Sequence, residues 1–248
     1  MIDSPLMTSA AFSLGPLSIS WTVVTTWAIM AALSLAAWAI TRRVRLRPGP
    51  VQAVAELLVS TLDSEIRATV PGDPARFRAL IGTFLIFVLV ANWSSLIPGV
   101  QPPTAHLETD AALAAIVFVS GVVWGIRAQG PGGWLASFAR PSWVMIPLNL
   151  VEQITRHFSL TVRLFGNVMS GVFVIGIIGM LAGLLVPVPL MALDMLTGAV
   201  QAYIFATLAL VFIGSAVSGH DSDPDPDPDP DPAPDPVPDT PQQKGPKA

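Results

Sequence analysis

The chain has 248 residues, of which 52% are hydrophobic and 12% charged, with a mean hydropathy of +0.62 and a formal net charge of −4. Soluble domains usually carry about 25% charged residues, so this composition indicates a membrane protein. The chain has no cysteine, no metal-ligand spacing among its histidines and no Walker-type glycine loop; disulfides are excluded, and we expect no metal, cofactor, catalytic residue or nucleic-acid partner.

The first apolar segment covers about residues 17–40. A helix of this length, at ~1.5 Å per residue, is long enough to cross a bilayer. The arginine-rich sequence TRRVRLRPGP follows at residues 41–50. Because cytoplasmic ends of membrane helices carry an excess of Arg and Lys, we expect this end in the cytoplasm and residues 1–16 in the periplasm.

A second helix is predicted at residues 50–68, where apolar side chains recur at helical spacing from Val51 to Leu62. The opposite face carries Glu56, Asp63 and Glu65. This pattern is typical of an amphipathic helix, and we expect it to lie on the cytoplasmic surface.

Two further membrane helices are predicted at about residues 79–97 and 111–126. Their connection includes the sequence GVQPPTAHLETD, which has neither Lys nor Arg, as expected for a periplasmic loop. Arg127 and a glycine-rich loop up to Arg140 follow, which returns the chain to the cytoplasmic side.

The next apolar stretch, about residues 143–212, is too long for one membrane helix and is interrupted by the sequence VPVP at 186–189. It predicts a hairpin of two long helices, at about 143–185 and 188–217. The fold class predicted is therefore an all-α membrane protein, with five membrane helices in a domain of residues 17–218. Nine of the 11 arginines fall at cytoplasmic ends or loops, and the exceptions are Arg156 and Arg163.

The acidity of the chain belongs to its last segment. Eight of the 17 acidic residues lie in residues 221–239, and upstream of them 11 Arg, no Lys and 9 acids give a net charge of +2. Alternating Asp-Pro cannot form a helix, because proline lacks the amide donor and restricts the preceding residue. We expect residues 219–248 to be a disordered cytoplasmic tail, and favour a solvated extension over a docking arm.

Four ionisable residues fall within the predicted hairpin: Glu152, Arg156, Arg163 and Asp194. An ionisable residue inside a membrane helix is costly and is a hypothesis of function by default. Glu152 and Arg156 are four residues apart, a spacing that fits a structural ion pair equally well.

Arg163 lies about 20 residues into its helix, too deep for its side chain to reach a surface easily. Asn167 and Ser170 follow at i+4 and i+7 and share its face. Asp194 and Gln201 share one face of the return helix in the same way. Two polar stripes on adjacent helices favour a hydrated ion path, and the alternative is an Arg–Asp salt bridge that only locks the hairpin.

Three segments carry a resemblance to a known family. The sequence PLNLVEQITRHFSLTVRLFGNVMSG at 147–171 resembles the signature of subunit a of rotary F-type ATP synthases. Residues 80–118, with an Asn-then-Ile-Pro-Gly and a Pro-Thr landmark, resemble that family's second and third spans, and VQAYIFATL at 200–208 resembles its final helix. The resemblance extends from about residue 48 to 217.

The resemblance implies a mechanism and a geometry. The final hairpin would be tilted and would face the ring of c subunits (the c-ring), and ions would cross by two half-channels that do not meet. Each c subunit carries a mid-membrane carboxyl that passes a fixed arginine while ionised. Arg163 matches that arginine, and Asn167 and Gln201 match polar neighbours at the interface. A guanidinium suits this role because it stays protonated in proteins.

The predicted topology adds the placement of the half-channels. Glu152 and Asn149 would line the cytoplasmic one, and Asp194 the periplasmic one. The chain departs from the family pattern at Val172, where many members have a Glu or His, and at His157, where a Pro is frequent. One carboxylate, Asp194, would then serve where a pair of groups is common.

The function implied is ion translocation that couples an ion gradient to ATP synthesis or hydrolysis in a separate catalytic head, so the chain would not be an enzyme on its own. Implied partners are the c-ring, the b-subunit peripheral stalk, other ATP synthase subunits and the lipid of a bacterial inner membrane. Alternatives are an autonomous secondary transporter, although no internal repeat is present, and a membrane scaffold with a structural Arg–Asp pair. H⁺ and Na⁺ both stay open as coupling ions, and H⁺ is expected as the commoner case.

Overall fold

The structure is a computed structural model that describes residues 10–14, 17–42, 49–70, 73–97, 100–138, 143–183 and 185–218. Most of the predicted periplasmic N-terminus lies outside these described residues. The predicted tail, residues 219–248, lies wholly outside them.

Long helices make up most of the described chain. They are α1 Trp21–Thr41, α2 Pro50–Thr69, α3 Ala75–Trp93, α4 Leu107–Phe138, α5 Met145–Ala182 and α6 Pro187–Ser218. All except α2 are long and apolar enough to cross a membrane, which makes five such helices in the described ranges. The prediction of an all-α membrane protein with five membrane helices is therefore confirmed.

The amphipathic helix α2 begins at Pro50, directly after Gly49. Proline is favoured at this first helical position, because its fixed φ suits the helix and its missing amide hydrogen has no intrahelical acceptor there. Leu62 and Ile66 are buried against the bundle. Arg78 of α3 binds the carboxylate of Asp63 through two nitrogens, at 2.5 and 2.6 Å, which ties α2 to the start of α3.

The first membrane helix begins four residues later than the predicted range 17–40. A short antiparallel hairpin precedes it, in which β1 (Ala10–Leu14) pairs with β2 (Leu17–Ser20). This pairing takes residues 17–20 out of the helix, and the apolar composition alone does not distinguish the two conformations.

The third membrane helix is longer at both ends than the predicted 111–126, because α4 begins at Leu107 and stays helical beyond residue 126 up to Gly130. Glu108 and Asp110 lie in its first turn, where negatively charged side chains interact favourably with the partial positive charge of the helix N-terminus. Gly130, with φ of 76°, breaks the helix before Pro131, and a short helical segment continues to Phe138.

Two 3₁₀ turns connect α3 to α4, η1 (Ser94–Leu96) and η2 (Pro103–Ala105). We call this side of the bundle, together with the α5–α6 turn, the loop end. The opposite side carries Arg76 and Arg78 at the start of α3 and Arg127 on α4, and we call it the arginine end.

The core of the bundle lies around α6, which packs against α3, α4 and α5. Phe84 of α3 and Phe205 of α6 meet edge to face with ring centroids 5.7 Å apart. Gly198 allows α3 and α6 to approach closely, because a Cβ at this position would lie 3.1 Å from the Cβ of Asn92. This contact holds the loop end of α3 against the hairpin.

Candidate functional site

The hairpin of α5 and α6 carries all seven residues predicted to handle the ion. Five are on α5 and two on α6, namely Asn149, Glu152, Arg163, Asn167, Ser170, Asp194 and Gln201. The two helices pack antiparallel, with Gly171 beside Asp194 and Gly179 beside Pro187. Five of the seven predicted residues line two separate clefts in this region.

The cleft at the loop end has a volume of about 220 Å³. Asn167, Ser170 and Gly171 line it from α5, and Asp194 and Thr197 from α6. A Cβ at position 171 would overlap the carboxylate of Asp194. Glycine at this position therefore leaves the space that the carboxylate occupies.

The cleft at the arginine end is larger, about 700 Å³, and its polar lining comes from one face of α5. These polar residues are Glu152, Thr155, Arg156, Ser159 and Arg163. Glu152 and Arg156 form an ion pair with both side chains about half exposed. The ion pair that the spacing suggested is thus present, and the same Glu152 lines the cleft.

Arg163 lies on an exposed face of α5, while Leu160 and Leu164 on the other side of the helix are buried in the bundle. Neither of the two ion pairs formed among the described residues includes Arg163. The Arg163–Asp194 salt bridge considered as an alternative is therefore absent from this part of the chain. Within the described residues the guanidinium has no counter-ion.

Asp194 is held by groups that the sequence did not predict. The hydroxyl of Ser95 lies 3.0 Å from Oδ2 of Asp194 and 2.8 Å from the carbonyl oxygen of Asn92, and can donate to either. The side chain of Asn92 accepts from the Thr104 hydroxyl at 2.8 Å and donates to the carbonyl oxygen of Gly198 at 3.0 Å. We call the four residues Ser95, Asn92, Thr104 and Asp194 the loop-end network, in which Ser95 reaches Asn92 through the backbone carbonyl and Thr104 reaches it through the side chain.

The loop-end network links the end of α3 and the two 3₁₀ turns that follow it, η1 and η2, to α6, which is about 90 residues further along the chain. Asn92 and Thr104 are among the landmarks that carried the family resemblance, but their pairing could not be predicted from spacing. The available signal was chemical, because a buried Asn at the end of an apolar helix requires hydrogen-bond partners.

Two of the predicted site residues lie outside both clefts, as far as the described residues define them. Gln201 is buried within the bundle with 6% of its surface exposed, and its Nε2 has no hydrogen-bond partner among the described residues. Asn149 lies partly buried one turn before Glu152 on α5. The structure thus assigns neither of them to a cleft wall.

The two departures from the family pattern have different surroundings. Val172 is exposed on α5, two residues beyond Ser170, so no titratable group stands at this position. The ring of His157 is partly buried between Phe118 and Phe212, and its Nδ1 lies 2.8 Å from the carbonyl oxygen of Gln153. It therefore packs into the bundle at the arginine end.

One titratable group at the loop end lies outside the membrane helices. His106, between η2 and α4, is partly buried, and this burial lowers the pKa of its imidazole, against an opposing effect of the Glu108 carboxylate. Because the pKa falls from an already mildly acidic value, the ring is neutral at pH 7.

The fold and the clefts together define a multi-pass membrane protein. The ionisable side chains of its hairpin line these two clefts: Asp194 lines the loop-end cleft, and Glu152, Arg156 and Arg163 line the arginine-end cleft.

Comparison with known proteins defines the family. Residues 23–214 match the family described as ATP synthase A chain. The chain is 52% identical over 217 residues to "ATP synthase subunit a 2" of Bradyrhizobium sp. (strain BTAi1), which covers 88% of this chain and 97% of that protein. It is 44% identical over 210 residues to "ATP synthase subunit a 2" of Pelobacter propionicus, covering 85% and 92%. It is 40% identical over 212 residues to "ATP synthase subunit a" of Albidiferax ferrireducens, covering 85% and 92%.

The chain therefore belongs to the ATP synthase subunit a family. Members are membrane subunits of the Fo sector of the F-type ATP synthase and act as parts of that complex.

Proposed function

We propose that this chain conducts protons through two half-channels against a c-ring, and so couples a proton gradient to ATP synthesis or hydrolysis. The observation that carries the proposal is the position of Arg163. Its guanidinium lies on an exposed face of α5, at the wall of the arginine-end cleft, and Asn167, one turn further, already lines the loop-end cleft.

The two clefts share no lining residue among those that the structure describes. A continuous path across the membrane would let protons leak without work, whereas two separate clefts require a carrier between them. A c-ring carboxyl that loads from one cleft, passes Arg163 while ionised and reloads from the other supplies this carrier. The fixed positive charge favours the ionised carboxylate as it passes.

In this proposal the loop-end cleft with Asp194 is the periplasmic half-channel, and the arginine-end cleft with Glu152 is the cytoplasmic one. The supporting observation for this sidedness is the gathering of Arg76, Arg78 and Arg127 at one end of the bundle, since cytoplasmic ends are rich in basic residues. With this sidedness, the N-terminus would lie in the periplasm and the C-terminus in the cytoplasm of a bacterial inner membrane.

The c-ring would dock on the exposed face of α5 near Arg163. Gly166 lies on this face, and a Cβ there would meet open space among the described residues. Small residues at such a position let a partner helix approach closely. The b-subunit peripheral stalk and other ATP synthase subunits would contact other surfaces of the chain.

Cysteine cross-linking tests the docking face directly, because the chain has no cysteine of its own. Gly166→Cys is expected to form a disulfide with a cysteine placed beside the carboxyl of the c-subunit helix, within the intact complex. Gly132→Cys, also in open space but on the segment after the α4 break, serves as the matched control and is expected not to cross-link.

Failure of the c-ring to copurify with the chain, or equal cross-linking at both positions, would contradict the proposal. An autonomous secondary transporter would give the first result. A membrane scaffold away from the ring would give no cross-link at Gly166.

A further inference from the structure

Asp110 lies in the first turn of α4, and none of the roles described above accounts for its buried carboxyl. Its exposed surface is 0%. Neither of its two carboxylate oxygens has a hydrogen-bond partner among the described residues. Its backbone nitrogen donates to the carbonyl oxygen of His106 at 3.4 Å, so the residue belongs to the beginning of the helix.

Burial of an ionised carboxylate with neither hydrogen-bond donors nor a counter-ion is strongly unfavourable. The main elements packed against α4 are η2, α5 and α6. No residue of η2 is titratable, and α5 has no ionisable residue after Arg163. The half of α6 nearer the loop end has only Asp194. On the chain segment of Asp110 itself, Glu108 is exposed and His106 is neutral.

The only positive charge that these segments offer an ionised Asp110 is the partial charge of the α4 N-terminus, and no basic side chain accompanies it. A bound proton is the simplest way to satisfy this carboxyl. A sodium ion would need several oxygen ligands, and the two oxygens of Asp110 have no polar neighbour at hydrogen-bond distance among the described residues.

Asp110 also belongs to the region of the loop-end network. Thr104, six residues earlier in η2, is likewise 0% exposed, and η2 packs against both α4 and α5. The hydroxyl of Thr104 donates to the side-chain oxygen of Asn92. The backbone carbonyl oxygen of Asn92 lies 2.8 Å from the Ser95 hydroxyl, which also contacts Asp194. The carboxyl thus lies at the loop end, on a helix that packs against η2, which carries Thr104 of the loop-end network.

We propose that Asp110 is a second proton-carrying carboxyl of the loop-end half-channel, which exchanges protons between solvent and Asp194. This inference rests on the proposed function. In one passage the Asp110 carboxylate gains a proton from the loop-end side and then releases it through intervening water to the Asp194 carboxylate. Asp110 is left ionised and reloads, so that one proton enters and one proton leaves.

The test uses the intact ATP synthase in inverted membrane vesicles without Na⁺, with ATP-driven proton pumping and gradient-driven ATP synthesis as readouts. Asp110→Asn has nearly the same shape but cannot carry a proton, and it is expected to slow both processes roughly tenfold or more while the c-ring still copurifies. Asp110→Ser is a second non-titrating replacement with the same expected loss. Asp110→Glu, which keeps a carboxyl, is expected to retain part of the activity.

Glu108→Gln is the matched control, because it removes an exposed carboxyl from the same turn of α4, and it is expected to behave as wild type. Normal pumping in an assembled Asp110→Asn or Asp110→Ser variant would overturn the inference, because the carboxyl would then be structural. Wild-type pumping that occurs only after addition of Na⁺ would overturn the assignment of a proton.

Arg163→Leu, measured beside these variants, distinguishes a failure of the inference about Asp110 from a failure of the proposed function. If Arg163→Leu abolishes coupling and Asp110→Asn does not, the inference about Asp110 is wrong and the proposed function stands. If Arg163→Leu leaves coupling intact, the proposed function itself is wrong.

Discussion

The Ser95 hydroxyl lies 3.0 Å from Oδ2 of Asp194 and joins η1 to α6 across 99 residues of sequence. The same hydroxyl is 2.8 Å from the carbonyl oxygen of Asn92, so its single hydrogen can point to either acceptor. Asp194 can therefore receive or lose this hydrogen bond without a movement of the backbone. Such a choice suits a carboxyl that alternates between protonated and ionised forms.

We predict that Asp194→Asn slows proton exchange at the loop end, because the amide cannot carry a proton. ATP-driven pumping and ATP synthesis should both fall, by roughly tenfold or more, in complexes that contain normal amounts of the chain. Ser95→Ala is the companion variant; it removes the hydrogen-bond donor but keeps the carboxyl, so its effect should be smaller. Unchanged pumping and synthesis in Asp194→Asn would contradict the assignment of Asp194 to a half-channel.

Gly171→Ala should impair transport without touching any ionisable group, because the added methyl would overlap the Asp194 carboxylate. Gly179→Ala on the same helix is the matched control, since its Cβ would meet Pro187 at an ordinary contact distance of 3.6 Å. Proton pumping normalised to assembled complex is the measurement. Equal pumping in the two variants would show that the position of the Asp194 carboxylate is not critical.

Asn92→Ala should destabilise the loop end. It leaves the buried Thr104 hydroxyl without its acceptor and removes the side-chain hydrogen bond to the Gly198 carbonyl oxygen, at a cost of about 1–3 kcal/mol for a buried polar group left unsatisfied. Thermal unfolding of the purified complex measures this as a lower Tm. Thr83→Ala on the same helix is the control, because Thr83 is exposed and bonds only to its own helix; a similar fall in Tm in both variants would contradict this role of Asn92.

Variants of Glu152 and Arg156 can distinguish a purely structural ion pair from a pair in which Glu152 also carries protons. Glu152→Gln and Arg156→Gln both break the same pair, which is half exposed and worth at most about 1 kcal/mol. If Glu152 carries protons through the arginine-end cleft, only Glu152→Gln should slow proton pumping. Equal pumping rates in the two variants would favour a purely structural pair.

The sequence was sufficient to predict the helices that are indicated by apolar composition or by the periodic spacing of apolar residues. Long apolar runs predicted five membrane helices, and helical spacing predicted α2, because both signals arise within one segment. The beginning of α4 was missed, since the sequence before residue 111 is polar and a polar first turn is compatible with either a loop or a helix N-terminus. The β1–β2 hairpin was missed because β2 ends directly before α1, within the stretch of residues 17–40 that composition predicts as one apolar segment.

The candidate site could be predicted only where its residues share a helix. Arg163, Asn167 and Ser170 were identified from spacing along α5, and Asp194 from its place on the return helix. Ser95, Asn92 and Thr104 were not identified, because their contacts join residues as far as 106 positions apart and depend on how α3 meets α6. Asp110 was missed because its burial is a property of the packed bundle.

The most direct test of the proposed function is proton coupling in Arg163→Leu. Insertion of an arginine at the middle of a membrane helix costs about 2.5–3.5 kcal/mol, so its replacement by leucine should not hinder insertion of the chain. We predict that the variant assembles with its c-ring but shows no proton-coupled ATP synthesis. Gradient-driven ATP synthesis at the wild-type rate in assembled Arg163→Leu complexes would contradict the role of Arg163 as the fixed charge between the half-channels.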